Sequence, residues 1–307
     1  MNKKAVSFGL EDILAGKIRY NEPMSKHTSW RIGGPAELLV EPQGLTDLQL
    51  AIHYAGIKKM PVTIIGNGTN LLVSDSGIKG MVIKIGSGLA GIKVKDFTIT
   101  VGAGAKLARV ASTAQQAGLG GLEFMAGIPG TLGGAIVMNA GANGSTISDF
   151  LQDIIVVDDH GEVISMKKEE VSFGYRTSSL QELPFIVVEA TLKCFSRDSQ
   201  EIKDRIKTLW EKRKASQPLD YPNAGSVFRN PPGDSAGRLI ETAGGKALRV
   251  GDAQVSEKHA NFIVNLGRAT AVDVLSLISK VQDLVYNKHG IELSPEVRVL
   301  GDVFRRR

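Results

Sequence analysis

Cysteine is nearly absent from this sequence: Cys194 is the single cysteine among 307 residues. One cysteine excludes an internal disulfide and a metal cluster built on cysteine ligands. Cys194 lies in the apolar stretch 187–195. We expect a buried, unreactive thiol there, because a reactive cysteine needs an exposed and electropositive setting.

Long hydrophobic runs are also missing. The longest apolar stretches, such as residues 154–157, have the length of a strand, whereas a transmembrane helix needs about 20 apolar residues. The first twenty residues mix charged and apolar positions and carry no apolar run followed by small residues, as a signal peptide would. These features predict a cytoplasmic protein without a membrane-spanning segment.

Charge of neither sign dominates strongly: 37 Lys and Arg stand against 32 Asp and Glu, a net charge of +5. A basic balance suits nucleic acid, a membrane surface or anionic small molecules. The basic clusters are residues 203–214 and 305–307. The first also contains acidic residues at helical spacings, which predicts a solvated helix face rather than a nucleic-acid surface. We therefore expect anionic small molecules as ligands and no nucleic-acid partner.

Glycine is the residue that the sequence has in abundance, with 35 concentrated in residues 65–104 and 118–144. No repeat accompanies them, which indicates tight loops between regular elements. Patterning predicts helices at 8–18, 46–56, 105–117, 199–216 and 271–289, and strands at 37–41, 62–65, 81–85, 92–101, 153–158, 163–166, 187–195, 260–266 and 297–300. Because strands and helices do not alternate strictly, an α+β fold is favoured over a doubly wound sheet.

Two of the glycine patterns do not predict a nucleotide site. Residues 86–91 read G-x-G-x-x-G, but a predicted strand follows them, whereas the dinucleotide fingerprint needs a helix N-terminus at that point. Gly245 and Lys246 lack the spacing of a P-loop. We interpret both as ordinary turns.

The stretch 65–73 is a better phosphate site, because a tight turn with two glycines exposes successive backbone N–H groups. Asn67, Thr69 and Asn70 would add side-chain donors. The alternative interpretation is a plain polar turn.

The stretch 127–142 offers a second such site. Gly130 and Thr131 could open a short helix whose first N–H groups point at a phosphate. Gly133 and Gly134 would let a flat ligand approach closely. The alternative interpretation is a glycine-rich contact between helices.

Six short strings, in order over about residues 25–300, together resemble the UDP-N-acetylenolpyruvoylglucosamine reductases. The strings are TSWRIGGP (28–35), IGNGTNLLV (65–73), GIPGTLGGAIVMNAGA (127–142), GYRTS (174–178), NAGSVFRNP (223–231) and LSPEVR (293–298). About 50 residues separate Arg176 from Ser226. That spacing leaves little room for the insertion of the family's longer type, so the chain resembles the compact second type.

The resemblance implies a domain division. An FAD-binding domain of the vanillyl-alcohol oxidase (PCMH) type would occupy residues 1–198, as two α+β subdomains at about 1–85 and 86–198. A C-terminal α+β substrate domain would occupy residues 199–307.

The resemblance also implies FAD as cofactor and NADPH as reductant. No His or Cys adjoins a glycine loop, which argues against covalent flavin attachment. The expected cofactor-binding residues lie in the two glycine stretches and are Gly66, Asn67, Gly68, Thr69, Asn70, Leu71, Gly127, Pro129, Gly130, Thr131, Gly133, Gly134, Asn139 and Gly141.

The implied reaction makes UDP-N-acetylmuramate, a peptidoglycan precursor, from UDP-N-acetyl-enolpyruvoylglucosamine. NADPH would reduce FAD, flavin N5 would pass hydride to the enolpyruvyl β-carbon, and a proton would reach the α-carbon. By resemblance Arg176 binds the substrate carboxylate, Ser226 is the proton donor, and Glu296 stabilises the enediolate-like intermediate. An arginine fork suits two carboxylate oxygens. Glu296 can work beside a carboxylate only if it is protonated or paired with Arg176 or Arg298.

Candidates for substrate binding are less specific: Tyr175, Arg229, His259 and Arg298. The last three, with Lys246, are the candidates for its UDP group. His259 lacks neighbours at ligand spacing, so we expect no metal site. Two alternatives stay open, a different flavin oxidoreductase on the same scaffold and a non-catalytic nucleotide-sugar-binding protein. The presence of all three catalytic candidates favours the reductase, which we expect to be a monomer.

Overall fold

The computed structural model describes residues 9–302, so the predicted basic cluster 305–307 lies outside the described residues. The helices are α1 (Leu45–Lys58), α2 (Leu107–Gln116), α3 (Leu132–Val137), α4 (Ile147–Phe150), α5 (Ser199–Ser216), α6 (Ala236–Thr242) and α7 (Ala271–His289). The strands are β1 (Lys17–Pro23), β2 (Pro35–Glu41), β3 (Val62–Ile65), β4 (Leu71–Val73), β5 (Ile78–Lys84), β6 (Ile92–Lys95), β7 (Thr98–Gly102), β8 (Leu119–Gly120), β9 (Gly141–Ala142), β10 (Ser145–Thr146), β11 (Leu151–Val157), β12 (Val163–Lys167), β13 (Phe173–Gly174), β14 (Thr177–Ser178), β15 (Ile186–Lys193), β16 (Phe195–Ser196), β17 (Arg249–Val250), β18 (Ala253–Val255), β19 (Ile263–Asn265) and β20 (Arg298–Leu300).

The two long C-terminal helices have the bounds that the sequence predicts, because their ends are encoded locally. The Thr270 hydroxyl accepts from the Asp273 N–H and the Asp273 carboxylate accepts from the Thr270 N–H, a reciprocal cap at the start of α7. Gly290 ends α7 with a left-handed φ of 67°. At the start of α5, the Asp198 carboxylate accepts from the N–H groups of residues 200 and 201.

Two predictions of secondary structure are wrong. Within the described part of residues 8–18, the predicted helix is one 3-10 turn, Leu10–Asp12, followed by β1. The local pattern gives way because β1 pairs along its length with β2. The predicted single strand over 92–101 is a hairpin of β6 and β7, because Asp96 takes a left-handed φ of 50° and reverses the chain.

The N-terminal part contains a mixed sheet of order β1-β2-β5-β3 and an antiparallel sheet of order β12-β11-β15-β7-β6. One cluster of buried apolar side chains joins them, with Leu48 of α1, Val110 of α2 and Ile154 of β11 among its fully buried members. The arrangement is α+β, as predicted.

The C-terminal part packs α6 and α7 with the small sheet β17-β18-β19. Trp30, from the N-terminal string 28–35, is fully buried in this second apolar cluster. Its indole N–H donates to the Ile263 carbonyl at 2.7 Å, and the Asn265 side chain donates to the Trp30 carbonyl at 2.9 Å. These bonds fasten the N-terminal part to the C-terminal part.

A second connection runs through β4 and β20, which form a parallel pair. Immediately after β4, the Asp75 carboxylate accepts from the N–H groups of Ala271 and Val272 at 2.8 and 3.1 Å. An N-terminal side chain therefore caps α7 of the C-terminal part. Among residues 9–302, no helix is both long enough and apolar enough to cross a membrane.

We expect Asp75→Ala to lower the free energy of unfolding by about 1 kcal/mol, because two N–H groups at the positive end of α7 lose their acceptor. Chemical denaturation measures the change. Asp220→Ala is the matched control, at an exposed turn residue outside the α7 contact. An effect of Asp75→Ala no larger than that of the control would contradict this cap.

Candidate active site

A cavity of about 1050 Å³ lies between the glycine stretches and the C-terminal part. Its lining includes every predicted cofactor residue except Asn139, together with Arg176, Ser226, Glu296 and Arg298. The fold therefore brings the two glycine stretches and the three catalytic candidates to one cavity.

The two glycine stretches contact each other directly. The Thr69 hydroxyl donates to the Pro129 carbonyl at 3.2 Å. A Cβ on Gly66 would lie 2.4 Å from the Thr131 hydroxyl oxygen, so a larger residue at Gly66 would separate the stretches. Gly68 has a φ of 63° and would place a Cβ 2.0 Å from a backbone carbonyl, so it too must be glycine.

The predicted phosphate contact at the start of α3 is wrong for two of its N–H groups. The N–H groups of Leu132 and Gly133 donate to the carbonyls of Ala105 and Ala103 at 2.9 and 2.8 Å. A Cβ on Gly133 would lie 2.9 Å from that of Ala103, so this glycine serves backbone packing. Gly133 and Gly134 both line the cavity.

Arg176 is presented by a hairpin in which β13 and β14 flank a two-residue turn, Tyr175 and Arg176. Arg176 has a φ of 56°, a left-handed conformation that is uncommon for a residue with a side chain. Its Nε lies 3.1 Å from Glu296 Oε1, and the two side chains are 25% and 15% exposed. The hairpin therefore holds Arg176, the residue that contacts Glu296, in an unfavourable backbone conformation.

Ser226 and Glu296 lie on two segments that pair in antiparallel fashion. The Glu296 N–H donates to the Val227 carbonyl at 2.7 Å, and the Arg229 N–H donates to the Ser294 carbonyl at 2.9 Å. Gly225, just before the serine, has a φ of 77°. The local pairing explains how residues 70 positions apart in the sequence reach the same cavity.

Burial raises the pKa of Glu296, and the charges of Arg176 and Arg229 oppose that rise. Burial is the larger effect, because the free-energy cost of removing a carboxylate from water exceeds the stabilisation that two partly solvated arginines provide. The carboxyl can therefore hold a proton more readily than an exposed glutamate. The second arginine whose charge acts on Glu296 is Arg229, whereas the sequence suggested Arg298.

The predicted substrate contacts divide into two groups. Tyr175 and Arg229 line a second cavity of about 440 Å³, and Arg298 lines the large one. His259 lines neither. Its Nδ1 accepts from the Asn261 N–H at 3.2 Å, its ring packs against Phe262, and burial lowers its pKa. His259 therefore packs against Phe262 in this structure, and its substrate contact stays a prediction.

Lys246 and Cys194 also lie away from the large cavity. Lys246 pairs with Glu241 at 2.6 Å. Cys194 is half-buried rather than fully buried. Burial, with a smaller effect from the charge of Glu123, raises its pKa to about 11. The thiol is therefore protonated at neutral pH and a poor nucleophile.

The sequence reasoning missed the end of α5, which it interpreted as a solvated face. Leu209, Lys212, Arg213 and Ser216 line the large cavity. Burial lowers the pKa of Arg213, and its Nε is buried without a hydrogen-bond partner in residues 9–302. The usable pattern was the spacing 209, 213 and 216, which places one leucine and one arginine on a single helix face.

Comparisons with known proteins agree with this geometry. A family model described as "FAD binding domain" matches residues 36–167, and one described as "UDP-N-acetylenolpyruvoylglucosamine reductase, C-terminal domain" matches residues 217–300. The chain is similar to the UDP-N-acetylenolpyruvoylglucosamine reductase of Desulforamulus reducens, with 51% identity over 95% of this chain and 97% of the relative. It is 45% identical to that of Clostridium tetani, over 98% and 97% of the two chains.

A solved structure of the enzyme of the same name from Thermus caldophilus is also similar. It matches with a TM-score of 0.81 and 38% identity, over 94% of this chain and 100% of that chain. The predicted α+β fold, with an FAD-binding module followed by a C-terminal domain, is confirmed.

The raised pKa of Glu296 generates a prediction about stability. A carboxyl whose pKa is higher in the folded state binds extra protons there, so its contribution to stability is lost as pH rises above about 4.3, the ordinary glutamate pKa. We therefore expect the free energy of unfolding of the wild type to fall, relative to Glu296→Gln, as pH rises from 4.3 through the raised pKa.

Urea denaturation of both FAD-saturated proteins between about pH 4 and 8 measures this difference. Glu162→Gln, at an exposed turn, is the control and should show no such fall. A difference between wild type and Glu296→Gln that grows in the opposite direction would mean that the arginines outweigh burial.

Proposed function

The chain belongs to the UDP-N-acetylenolpyruvoylglucosamine reductase family, and from this we propose that it reduces UDP-N-acetyl-enolpyruvoylglucosamine to UDP-N-acetylmuramate, with non-covalent FAD and with NADPH as reductant. The observation that carries the proposal is the shared cavity, which Arg176, Ser226 and Glu296 line together with both glycine stretches. An arginine, a hydroxyl and a carboxyl of raised pKa are the groups that protonating a carbon next to a carboxylate requires.

The cavity fits FAD in size and in chemistry. It exceeds the usual range of roughly 300–1,000 Å³ for a small-molecule site, as an extended dinucleotide beside a substrate would need. A Cβ on Gly134 would meet no atom closer than the Thr131 hydroxyl oxygen at 3.8 Å, so the missing side chain leaves room for the cofactor at the cavity wall. Arg213, next to Gly127, supplies a half-buried cation whose buried Nε has no hydrogen-bond partner in residues 9–302. FAD would supply the hydride, which no protein side chain can.

The three catalytic candidates divide the remaining work. Arg176 holds the substrate carboxylate and neutralises the charge that hydride addition pushes onto it. Glu296, when protonated, donates a hydrogen bond to the same oxygens. Ser226 gives its proton to the α-carbon. A serine is a weak acid, so this step depends on the strong basicity of the intermediate that Arg176 and Glu296 hold in place.

We also assign the domain division and type to this proposal. Residues 1–198 bind FAD through two subdomains, about 1–85 and 86–198, and residues 199–307 bind the substrate. Support comes from the two family models, whose matches end at 167 and begin at 217. The short spacing between Arg176 and Ser226 supports the compact second type.

Anaerobic visible spectroscopy tests the proposed function. The purified protein loaded with FAD should be bleached by NADPH and should regain its colour when UDP-N-acetyl-enolpyruvoylglucosamine is added without oxygen. Colour that returns when oxygen is admitted but not when the substrate is added would indicate another flavin oxidoreductase. Failure to take up FAD would leave a nucleotide-sugar-binding protein and refute the reductase.

We expect Ser226→Ala to keep flavin reduction by NADPH and to slow reoxidation by the substrate by about 10²-fold to 10⁴-fold, because only the proton donor is removed. Stopped-flow absorbance separates the two half-reactions. Ser165→Ala, on an exposed position of β12, is the control. Loss of both half-reactions in Ser226→Ala would mean that this serine is structural.

We expect Arg213→Gln to raise the Kd of FAD at least about 10-fold, because a buried charge-assisted bond to a phosphate is worth roughly 1.5–3 kcal/mol. Quenching of flavin fluorescence measures the Kd. Arg205→Gln removes an exposed arginine from the same helix and should leave it unchanged. Equal Kd values for the two variants would refute an FAD phosphate as the partner of Arg213.

A further inference from the structure

Two asparagines of the glycine stretches use their side-chain amides to hold backbone near the catalytic candidates, although Asn70 also lines the cavity. Asn70 donates to the backbone carbonyl of Glu296, and Asn139 donates to that of Gly174, two residues before Arg176. We propose that they are positioning residues, Asn70 for Glu296 and Asn139 for Arg176, which together set the contact between the two. The expected effect on the reaction rate rests on the proposed function, whereas the expected effect on the contact between Arg176 and Glu296 does not.

Asn70 holds the segment that carries Glu296. Its side-chain N–H donates to the Glu296 carbonyl at 3.1 Å, and its own carbonyl accepts from the Arg298 N–H at 3.0 Å. The two bonds end on the Glu296 carbonyl and the Arg298 N–H, on either side of Val297. The first bond is the one that fixes Glu296 itself, because it ends on the backbone of that residue.

Asn139 holds the hairpin that carries Arg176. It is 6% exposed, its side-chain N–H donates to the Gly174 carbonyl at 2.9 Å, and its side-chain oxygen accepts from the Ser148 N–H at 3.3 Å. Both ends of its amide are therefore used, and neither faces the cavity. Asn139 itself has a φ of 43°, which asparagine tolerates better than most residues.

A hydrogen bond that holds this hairpin also holds the backbone conformation of its turn. The turn residue Arg176 is left-handed, so its backbone conformation is costly unless neighbouring contacts impose it. The Ser178 hydroxyl also donates to the Val137 carbonyl at 2.7 Å, on the other side of the turn. With Asn139 on one side and Ser178 on the other, the hairpin keeps the Arg176 guanidinium against Glu296.

The pKa of Glu296 reports this contact without any substrate. Arg176 and Arg229 are the charged groups that act on the carboxyl, and burial opposes them. Asn139→Ala and Asn70→Ala should each move Arg176 and Glu296 apart, so the pKa of Glu296 should rise further. Carbon-13 NMR of glutamate side chains in the FAD-loaded protein measures it, with Glu296→Gln assigning the resonance.

Double-mutant cycles test the kinetic consequence. Asn139→Ala and Asn70→Ala should each slow substrate-driven flavin reoxidation about 10-fold to 100-fold, with the Kd of FAD changed less than about threefold. In an Arg176→Ala background, Asn139→Ala should slow it less than about threefold further, and Asn70→Ala should behave likewise in Glu296→Gln. Asn265→Ala is the control: it removes another buried asparagine, which donates to the Trp30 carbonyl and accepts from the N–H groups of Gly267 and Ala269, and it should leave reoxidation unchanged while lowering Tm.

Two further variants keep the test independent of folding. Asn139→Gly suits the left-handed backbone but lacks the donor, and Asn70→Leu keeps the side-chain size. An unchanged pKa of Glu296 in every asparagine variant, or additive losses in the cycles, would overturn the positioning role. An FAD Kd that rises as much as the rate falls would show that the asparagines serve the cofactor directly. If the wild type is not reoxidised by the substrate, the proposed function fails, and the titration alone still decides the positioning role.

Discussion

The site depends on the parallel pairing of β4 with β20, in which Leu71 lies beside Arg298 and Val73 beside Leu300. β4 forms the end of the glycine stretch 65–73, and β20 begins two residues after Glu296. This short pair therefore fixes the distance between the proposed cofactor wall and the carboxyl. The fully buried side chain of Leu72, on β4, belongs to the C-terminal apolar cluster. Burial of that side chain favours the pairing, because an unpaired strand would expose both apolar surface and backbone.

The same pairing explains why Glu296 is partly withdrawn from water. A buried carboxylate is costly, and the fold offsets the cost with Arg176 and Arg229 without cancelling it. A glutamate in that balance can change protonation state at a modest free-energy cost. This is the property that a group needs if it is to donate a hydrogen bond to a second carboxylate at neutral pH.

Sequence reasoning succeeded where structure is encoded locally. The bounds of α5 and α7 follow from caps and periodicity, and the glycine stretches follow from turn chemistry. It failed at residues 8–18, where strand pairing determines the structure, and at residues 92–101, where one left-handed aspartate divides the predicted strand into a hairpin. Within the site, the resemblance supplied Arg176, Ser226 and Glu296, and the structure brings them to one cavity. The side-chain hydrogen bonds of Asn70 and Asn139 join segments far apart in the chain, and no local sequence pattern reveals them. Arg213 was missed because its helix was classified by charge rather than by face.

Hydrogen exchange of backbone amides tests most directly whether the cofactor wall and the catalytic strand are one unit. We expect FAD alone, without substrate, to slow exchange in residues 66–70 and also at Arg298, whose N–H donates to the Asn70 carbonyl. Protection that stops at the glycine stretches, and leaves residues 296–300 exchanging as in the FAD-free protein, would contradict it.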